Sequence, residues 1–293
     1  MDNHLLIFGF GFTSQAVADR LQSKFKSICG TTRSAEKFDV LKQQDIEPIL
    51  FDGETVSAEL QLALNNATHL LVSIGPNSNG DPVLNAISKS GDQFKHLQWA
   101  GYLSTVGVYG NHDGEWVNEE TECKPVSKRS KERVATETEW LQLGRQTGVP
   151  IAIFRLSGIY GPGRNTFMNI EKGKARRLVK PGQVFNRIHR EDIAQAVDLA
   201  IEAKVAGIFN ITDDLPAPPQ DVVTYAFELM GKEPPKEIDF ASADLTPMAR
   251  SFYGENKRVS NNKSKTHLGM TYHWPDYKSS LQKMWSTGSW RKS

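Results

Sequence analysis

An apolar run that ends in two closely spaced glycines constrains most strongly how this chain can fold. Residues 5–21 read LLIFGFGFTSQAVADRL, so the run stops at Gly9, Gly11 follows, and a helical pattern begins at once. Gly9 permits a tight turn and Gly11 lets a ligand approach the backbone, while the new helix offers N–H groups and the positive end of its dipole. This spacing is typical of a turn that binds a dinucleotide pyrophosphate, although ordinary strand–helix turns also carry it.

Ser14 stands where the third glycine of the G-x-G-x-x-G pattern is usual. The residue is small but is not glycine, which weakens the pattern. The position of the turn at the first strand of a long strand–helix series strengthens it. We therefore predict a cofactor-binding turn formed by Gly9, Phe10, Gly11, Phe12, Thr13 and Ser14.

The first 160 residues alternate short apolar runs with helical patterns. Strand-like runs lie at residues 4–10, 27–33, 46–52, 69–75, 100–110 and 149–161, and helical patterns lie at 14–25, 56–65 and 127–144. This alternation predicts an α/β fold with a doubly wound parallel sheet. Ligands of such sheets bind outside the carboxyl ends of the strands, where the candidate motifs also lie.

After Gly163 the pattern changes, and the chain is expected to leave the sheet. Residues 171–183 are basic and loop-like, 187–203 predict a helix, 207–214 a strand, and 221–235 a helix that ends near Gly231. The expected organisation is a dinucleotide-binding core over 1–165, to which 187–212 return. Residues 166–293 would then form mostly a small substrate-binding lobe and a C-terminal segment.

Composition excludes several classes of protein. The 293 residues carry a net charge of +1, which gives no reason to expect nucleic acid or an anionic membrane as a partner. Cys29 and Cys123 lie far apart, without the spacing of a disulfide scaffold or a metal site. No apolar stretch approaches the roughly 18 residues of a membrane span. We expect a soluble cytoplasmic protein that binds no metal and acts on a small molecule.

The end of the second strand bears on the choice of cofactor. NAD-binding folds of this type place an acidic residue there for the ribose 2′-hydroxyl, whereas NADP-binding folds accommodate the 2′-phosphate with arginine. This chain has Thr32 and Arg33 and no acid at that point. The pair predicts NADP rather than NAD, unless Arg33 is simply a solvated residue at the end of a strand.

Six motifs occur in the order found in one superfamily. They are FDG at 51–53, SIGP at 73–76, YLSTVGVYG at 102–110, FRLSGIYGPGR at 154–164, RIHREDIAQAV at 187–197, and the C-terminal pair NKRVSNNK and LGMTYHWPDYKSSL. With the glycine turn, the chain resembles the short-chain dehydrogenase/reductase superfamily in its extended, nucleotide-sugar epimerase-like branch. The C-terminal pair is similar to an atypical subgroup of that branch.

The resemblance implies further site residues. Cofactor contacts would come from Asp52, Gly53, Ser73, Ile74, Gly75, Pro76, Ser104 and Gly158. Substrate contacts would come from Arg164, Arg187 and His189, each of which also fits a structural or surface role. Relatives commonly form homodimers through two helices, one of which would be the 127–144 segment.

The chemistry of this superfamily depends on Tyr-x-x-x-Lys on one helix, and here both residues are missing. Steps of four from Pro125 fall on Arg129, Arg133 and Glu137, so arginine holds both places. A shifted register uses Lys131 but puts Ser127 at the tyrosine place. Arginine holds ribose hydroxyls well, but it cannot donate a proton at ordinary pH.

The hydroxyl on the fifth strand is retained, because Thr105 lies four residues before Tyr109. It would hold the substrate oxygen, while Arg133 would hold the cofactor ribose. The missing proton would have to come from Tyr102, Tyr160 or His189, and Tyr160 beside the expected nicotinamide joins Thr105 and Arg133 as a catalytic candidate. Tyr160 also fits a packing role.

Two hypotheses remain open at this point. The first is an NADP-dependent oxidoreductase or epimerase that acts on a carbonyl or carbinol carbon or on a sugar nucleotide. The second is a non-catalytic NAD(P)-binding sensor or assembly protein that has lost the active-site tyrosine and lysine.

Overall fold

Seven parallel strands form the central sheet of the computed structural model, which describes residues 2–89 and 95–291. The strands are β1 His4–Phe8, β2 Ser27–Thr32, β3 Glu47–Leu50, β4 His69–Val72, β5 Trp99–Thr105, β6 Trp116–Val117, β7 Ile151–Leu156, β8 Gly158–Tyr160, β9 Arg177–Val179, β10 Arg187–His189, β11 Gly207–Ile211, β12 Glu237–Asp239 and β13 Arg258–Val259. The order in the central sheet is β11-β7-β5-β4-β1-β2-β3. The predicted doubly wound parallel sheet is confirmed.

Helices cover both faces of this sheet. They are α1 Phe12–Leu21, α2 Phe38–Lys42, α3 Ala58–Asn66, α4 Pro82–Lys89, α5 Lys128–Thr147, α6 Thr166–Glu171, α7 Arg190–Glu202, α8 Pro219–Leu229, α9 Pro247–Phe252, α10 Asn262–His267 and α11 Tyr277–Thr287. On one face α1 and α7 bury Val17, Leu21 and Val197. On the other face α3 and α5 bury Leu60 and Trp140. None of the described helices combines the length and the apolar character that a membrane crossing needs.

The central strands are covered by helices on both faces of the sheet. β4 and β7 are buried at every position, which is the pattern of parallel strands covered on both faces. The fifth predicted strand stops earlier than expected, at Thr105. Residues 106–109 instead form one turn of 3-10 helix, because the Thr105 hydroxyl accepts the N–H of Gly107 at 3.1 Å and caps the turn.

Two predicted elements each divide into two. The run 149–161 breaks after Leu156, and β8 leaves the central sheet to pair in parallel with β10. The predicted helix 187–203 begins only at Arg190, because its first three residues form β10. The basic stretch 171–183, expected to be a loop, contains β9, which pairs with β12.

A C-terminal lobe lies beside the carboxyl edge of the sheet and contains α6, α8, α9, α11, β9 and β12. Its main cluster packs Phe167, Trp274, Trp285 and Trp290 against α8 and α11. A smaller cluster joins Leu178 to Tyr253. The wall that this lobe presents to the sheet forms half of the site described below.

Candidate functional site

The glycine turn is tied to the neighbouring strand. The Gly9 N–H donates to Thr31 Oγ1 at 2.8 Å, and the Phe10 N–H donates to the Thr31 carbonyl at 2.8 Å. The buried Ser14 hydroxyl donates to the Gly9 carbonyl at 2.8 Å. Ser14, which stands at the third glycine position of the pattern, therefore stabilises the turn through this hydrogen bond.

The two glycines have different surroundings. Gly9 adopts a φ of +85°, and a Cβ there would lie 2.3 Å from Ile74 Cγ2. A Cβ on Gly11 would meet no atom within 4 Å, and its φ is −136°. Gly9 is required by the turn itself, whereas Gly11 borders open space.

That open space lies at the first N–H groups of α1, which lack acceptors within the helix. The first turn of α1 contains no acidic residue, and Gly11 offers no side chain as a cap. Such an end favours an anion. The turn that includes Phe12 and Thr13 therefore fits the pyrophosphate of a nicotinamide dinucleotide.

An arginine follows β2, and a hydrogen-bonded carboxylate follows β3. Arg33 is exposed, and its side chain has no hydrogen-bond or ion-pair partner among residues 2–89 and 95–291. The Thr32 hydroxyl accepts the Ser34 N–H at 3.3 Å. Asp52 accepts the N–H groups of Glu54 and Thr55 at 2.8 Å each, and these bonds lower the pKa of its carboxyl. Gly53 follows with a φ of +104°.

Arg133 lies against the loop Ser73–Pro76 that follows β4. A Cβ on Gly75 would be 2.9 Å from Arg133 Nη2. Arg133 Nη1 donates to the Tyr102 hydroxyl at 3.0 Å and to the Leu103 carbonyl at 2.6 Å. The arginine at the expected lysine place thus borders both the cofactor loop and the cavity described next.

A cavity of about 1160 Å³ opens between the carboxyl ends of β5 and β7 and the C-terminal lobe. Thr105, Arg133 and Gly158 line it from the core. Among its described lining residues Glu255 is the one carboxylate. The cations that line it are Arg129, Arg133, Arg164, Lys172, Arg187 and Lys257. This excess of positive charge favours an anionic ligand.

Thr105 is placed to bind an oxygen atom. Its side chain is half-buried and lines the cavity, and its Oγ1 accepts the Gly107 N–H at 3.1 Å. That bond uses a lone pair and leaves the hydroxyl proton available to a ligand. The neighbouring Ser104 hydroxyl instead donates to Glu137 Oε1 at 2.5 Å, inside the core.

The three predicted proton donors do not present their polar atoms to the cavity. The Tyr160 ring lines the cavity, but its hydroxyl is buried without a hydrogen-bond partner among the described residues, and burial raises its pKa above the usual value. Tyr102 is buried, and its hydroxyl accepts from Arg133. Burial also raises the pKa of Tyr102.

His189 lies outside the cavity lining. Its ring stacks on Trp274 with centroids 3.9 Å apart, and Nδ1 accepts the Glu191 N–H at the start of α7. Burial lowers the pKa of its imidazole to about 3. The structure therefore gives His189 the surroundings of a structural residue, not those of the predicted substrate contact.

Arg187, in contrast, faces the cavity. Its Nη1 donates to the Phe185 and Ala217 carbonyls at 2.9 and 3.2 Å. Burial lowers the pKa of the Arg187 guanidinium. The nearby Asp213 carboxyl acts in the opposite direction, but the effect of burial is larger. No carboxylate of the described chain lies within ion-pair distance of Arg187.

Lys257 is a cavity residue that the sequence reasoning missed. Its Nζ donates to the Gly110 carbonyl at 2.8 Å and to Glu255 Oε2 at 2.7 Å. Burial lowers the pKa of this ammonium, although the Glu255 carboxylate opposes the shift. The sequence offered one signal, because Lys257 belongs to the C-terminal motif NKRVSNNK.

A buried ion pair supports the wall behind Thr105. Arg155 Nη2 lies 2.7 Å from Glu137 Oε2, and both side chains are almost fully buried. The Arg155 guanidinium also stacks on the Tyr109 ring, 4.8 Å from its centroid. The Tyr109 hydroxyl donates to Asn210 Oδ1 at 2.8 Å. These contacts join α5, β7, β11 and the turn after β5.

Part of the chain matches a known protein family. Residues 80–212 match the NAD dependent epimerase/dehydratase family. Protein YeeZ of Escherichia coli strain K12 is 27% identical over 282 residues, which cover 92% of this chain and 96% of YeeZ.

Solved structures extend the likeness to the whole chain. A conserved protein of unknown function from Silicibacter pomeroyi DSS is 43% identical with a TM-score of 0.87, covering 98% of this chain and 99% of that one. A dTDP-glucose 4,6-dehydratase from Bacillus anthracis in complex with NAD has a TM-score of 0.77 at 15% identity, covering 99% and 98% of the two chains. At that identity the likeness concerns the fold alone.

Proposed function

The chain belongs to the NAD-dependent epimerase/dehydratase family of extended short-chain dehydrogenases/reductases, and we propose that it is an NADP-dependent oxidoreductase or epimerase. The reacting group is a carbonyl or carbinol carbon of an anionic substrate, with sugar nucleotides as the first class to test. When bound, the dinucleotide would supply hydride exchange at its nicotinamide ring.

The observation that carries this proposal is the position of the Thr105 hydroxyl. It lies on the cavity wall with a free proton, and the Arg133 guanidinium lines the same cavity. A substrate oxygen that accepts this hydrogen bond holds its carbon at the carboxyl edge of the sheet, where family members bind the cofactor. Arg133 then holds the cofactor ribose and adds positive charge beside the reacting oxygen.

Lys257 is the proton source that the geometry supports best. It lines the same cavity as Thr105, and its ammonium has a lowered pKa. A group whose pKa moves towards neutrality can both give and take a proton. Lys257 would deliver a proton to the substrate oxygen when a carbonyl becomes an alcohol, and it would accept that proton in the reverse direction.

The charge of the cavity supports an anionic substrate. Arg187 is half-buried on the cavity wall and has no ion-pair carboxylate partner in the described chain. A phosphate or carboxylate of the substrate would supply that partner through charge-assisted hydrogen bonds.

Arg33 supports NADP as the cofactor, because it is the free cation at the end of β2. We expect Arg33→Ala to weaken NADPH binding about tenfold or more, since a charge-assisted phosphate contact is lost. NADH binding should change by less than about twofold. Isothermal titration calorimetry measures both constants. Equal losses for the two cofactors would contradict the assignment of Arg33.

The reaction is tested by NADPH consumption with a panel of carbonyl compounds and sugar nucleotides. Thr105→Ala combined with Arg133→Ala should abolish turnover, and Lys257→Met should abolish it at neutral pH without loss of NADPH binding. Thr138→Ala is the matched control, since Thr138 is exposed on α5 and its hydroxyl donates to the Val134 carbonyl within the same helix. Turnover that survives the double substitution would refute the assigned site.

One observation favours a second function, a sensor or assembly protein that binds NAD(P) without turnover. The Tyr160 hydroxyl is buried, the Tyr102 hydroxyl accepts a hydrogen bond from Arg133, and His189 Nδ1 accepts the Glu191 N–H. Under this alternative Arg133→Ala weakens cofactor binding, Thr105→Ala and Lys257→Met change little, and no substrate in the panel consumes NADPH.

A further inference from the structure

Two arginines converge on the first residue of α1. The Arg190 guanidinium lies 4.9 Å from the centroid of the Phe12 ring, and the Arg164 guanidinium lies 5.6 Å from it. Arg190 opens α7, and Arg164 ends the turn after β8. Two segments from different parts of the chain thus bring positive charge to the same helix end.

Neither arginine has an anionic partner in the part of the chain that the structure describes. No carboxylate lies within 4.0 Å of either guanidinium, and Arg190 Nε is buried without a hydrogen-bond acceptor. The charge of Arg190 acts to lower the pKa of the Asp19 carboxyl, but burial outweighs that effect and raises the pKa.

Positive charge accumulates at the start of α1. The N-terminus of α1 carries the positive end of the helix dipole, and no acidic side chain lies in its first turn. The Arg164 and Arg190 guanidinium groups, 5.6 and 4.9 Å from the centroid of the Phe12 ring, add two further positive charges beside that helix end. A ligand with two negative charges at the start of α1 balances these charges and satisfies the free N–H donors.

We propose that Arg164 and Arg190 form a clamp that holds the two phosphates of the dinucleotide against the start of α1. The inference rests on the proposed cofactor, and it assigns a binding role to Arg190 and a second role to Arg164. Arg164 also lines the substrate cavity. The same side chain therefore connects the cofactor phosphates with the substrate side of the site.

The test uses isothermal titration calorimetry of the full chain with NADPH, NADH and ADP-ribose. Arg164→Gln and Arg190→Gln should each raise the dissociation constant for all three ligands about tenfold or more, because a charged hydrogen bond to phosphate is lost. Arg164→Lys and Arg190→Lys keep the charge and should lose less. Arg145→Gln is the control, since Arg145 is exposed in the last turn of α5.

Thermal unfolding without ligand separates binding from packing. Loss of one of two unpaired cations should leave the melting temperature of the glutamine variants unchanged or higher. If the arginines served only to cover the Phe12 ring, the melting temperature would fall and the dissociation constants would match those of Arg145→Gln. That result would overturn the clamp.

Two negative results remain distinguishable. If the unmodified protein binds the three ligands and the variants bind them equally well, the clamp is refuted and the proposed function stands. If the unmodified protein binds none of the three, both are refuted.

Discussion

Gly9 and Gly11 should respond to alanine in opposite ways, because one borders protein and the other borders open space. In Gly11→Ala the new methyl group meets no atom within 4 Å and the φ of −136° suits alanine. Such a change stabilises a protein by about 0.4–1 kcal/mol, since it restricts the unfolded chain. The same methyl group occupies the space where the pyrophosphate would approach.

In Gly9→Ala the methyl group would lie 2.3 Å from Ile74 Cγ2, at a φ of +85°. The left-handed backbone costs roughly 1–2 kcal/mol and the overpacking roughly 1–3 kcal/mol, so unfolding should become easier by about 2–5 kcal/mol. Gly148→Ala is a useful control, because its φ of +74° is strained but it lies at the end of α5, away from the site.

Urea unfolding and calorimetric titration with NADPH measure the two effects separately. We expect Gly11→Ala to gain about 0.4–1 kcal/mol in the free energy of unfolding and to lose about tenfold or more in NADPH affinity, a change of about 1.4 kcal/mol. Gly148→Ala should lose stability and keep its affinity. Should Gly11→Ala bind NADPH as tightly as the unmodified protein, the turn does not hold the pyrophosphate.

Two further predictions concern stability. Glu137→Gln leaves Arg155 charged and buried without its ion-pair partner, which should lower the free energy of unfolding by about 3–5 kcal/mol in urea titrations. Glu139→Gln, on the exposed side of the same helix, should change it by less than about 0.5 kcal/mol, and equal losses would contradict the role of the pair. Burial lowers the pKa of His189 from 6.5 to about 3, so the stability that its neutral form contributes is present above pH 6.5 and is lost as the pH falls from there. Between pH 6 and 4 the unmodified protein should therefore lose up to about 1.4 kcal/mol per pH unit relative to His189→Gln, and parallel curves would contradict this.

The central sheet could be predicted from the sequence because its strands are local apolar runs between helical patterns. β8 and β10 could not, since their pairing joins Gly158 to Arg187 outside the central sheet and leaves no period in the local pattern. The same long-range pairing explains why the predicted helix 187–203 begins only at Arg190.

The glycine turn could be predicted from the sequence more readily than the directions of the side chains proposed as catalytic. Gly9 and Gly11 act through the backbone of a single turn, so their spacing carries the information. The directions of the Tyr160 and His189 side chains depend on contacts with the C-terminal lobe, such as the stacking of His189 on Trp274. Lys257 lies in the motif NKRVSNNK, but its hydrogen bond to the Gly110 carbonyl spans 147 positions of sequence, and the motif does not indicate that contact.

The central claim is that the glycine turn and Arg33 hold NADP. Calorimetric titration of the purified protein with NADPH and with NADH tests it most directly. The account predicts saturable binding of both with a clear preference for NADPH. If neither dinucleotide binds, the claim is contradicted, and both the proposed oxidoreductase and the non-catalytic alternative fail with it.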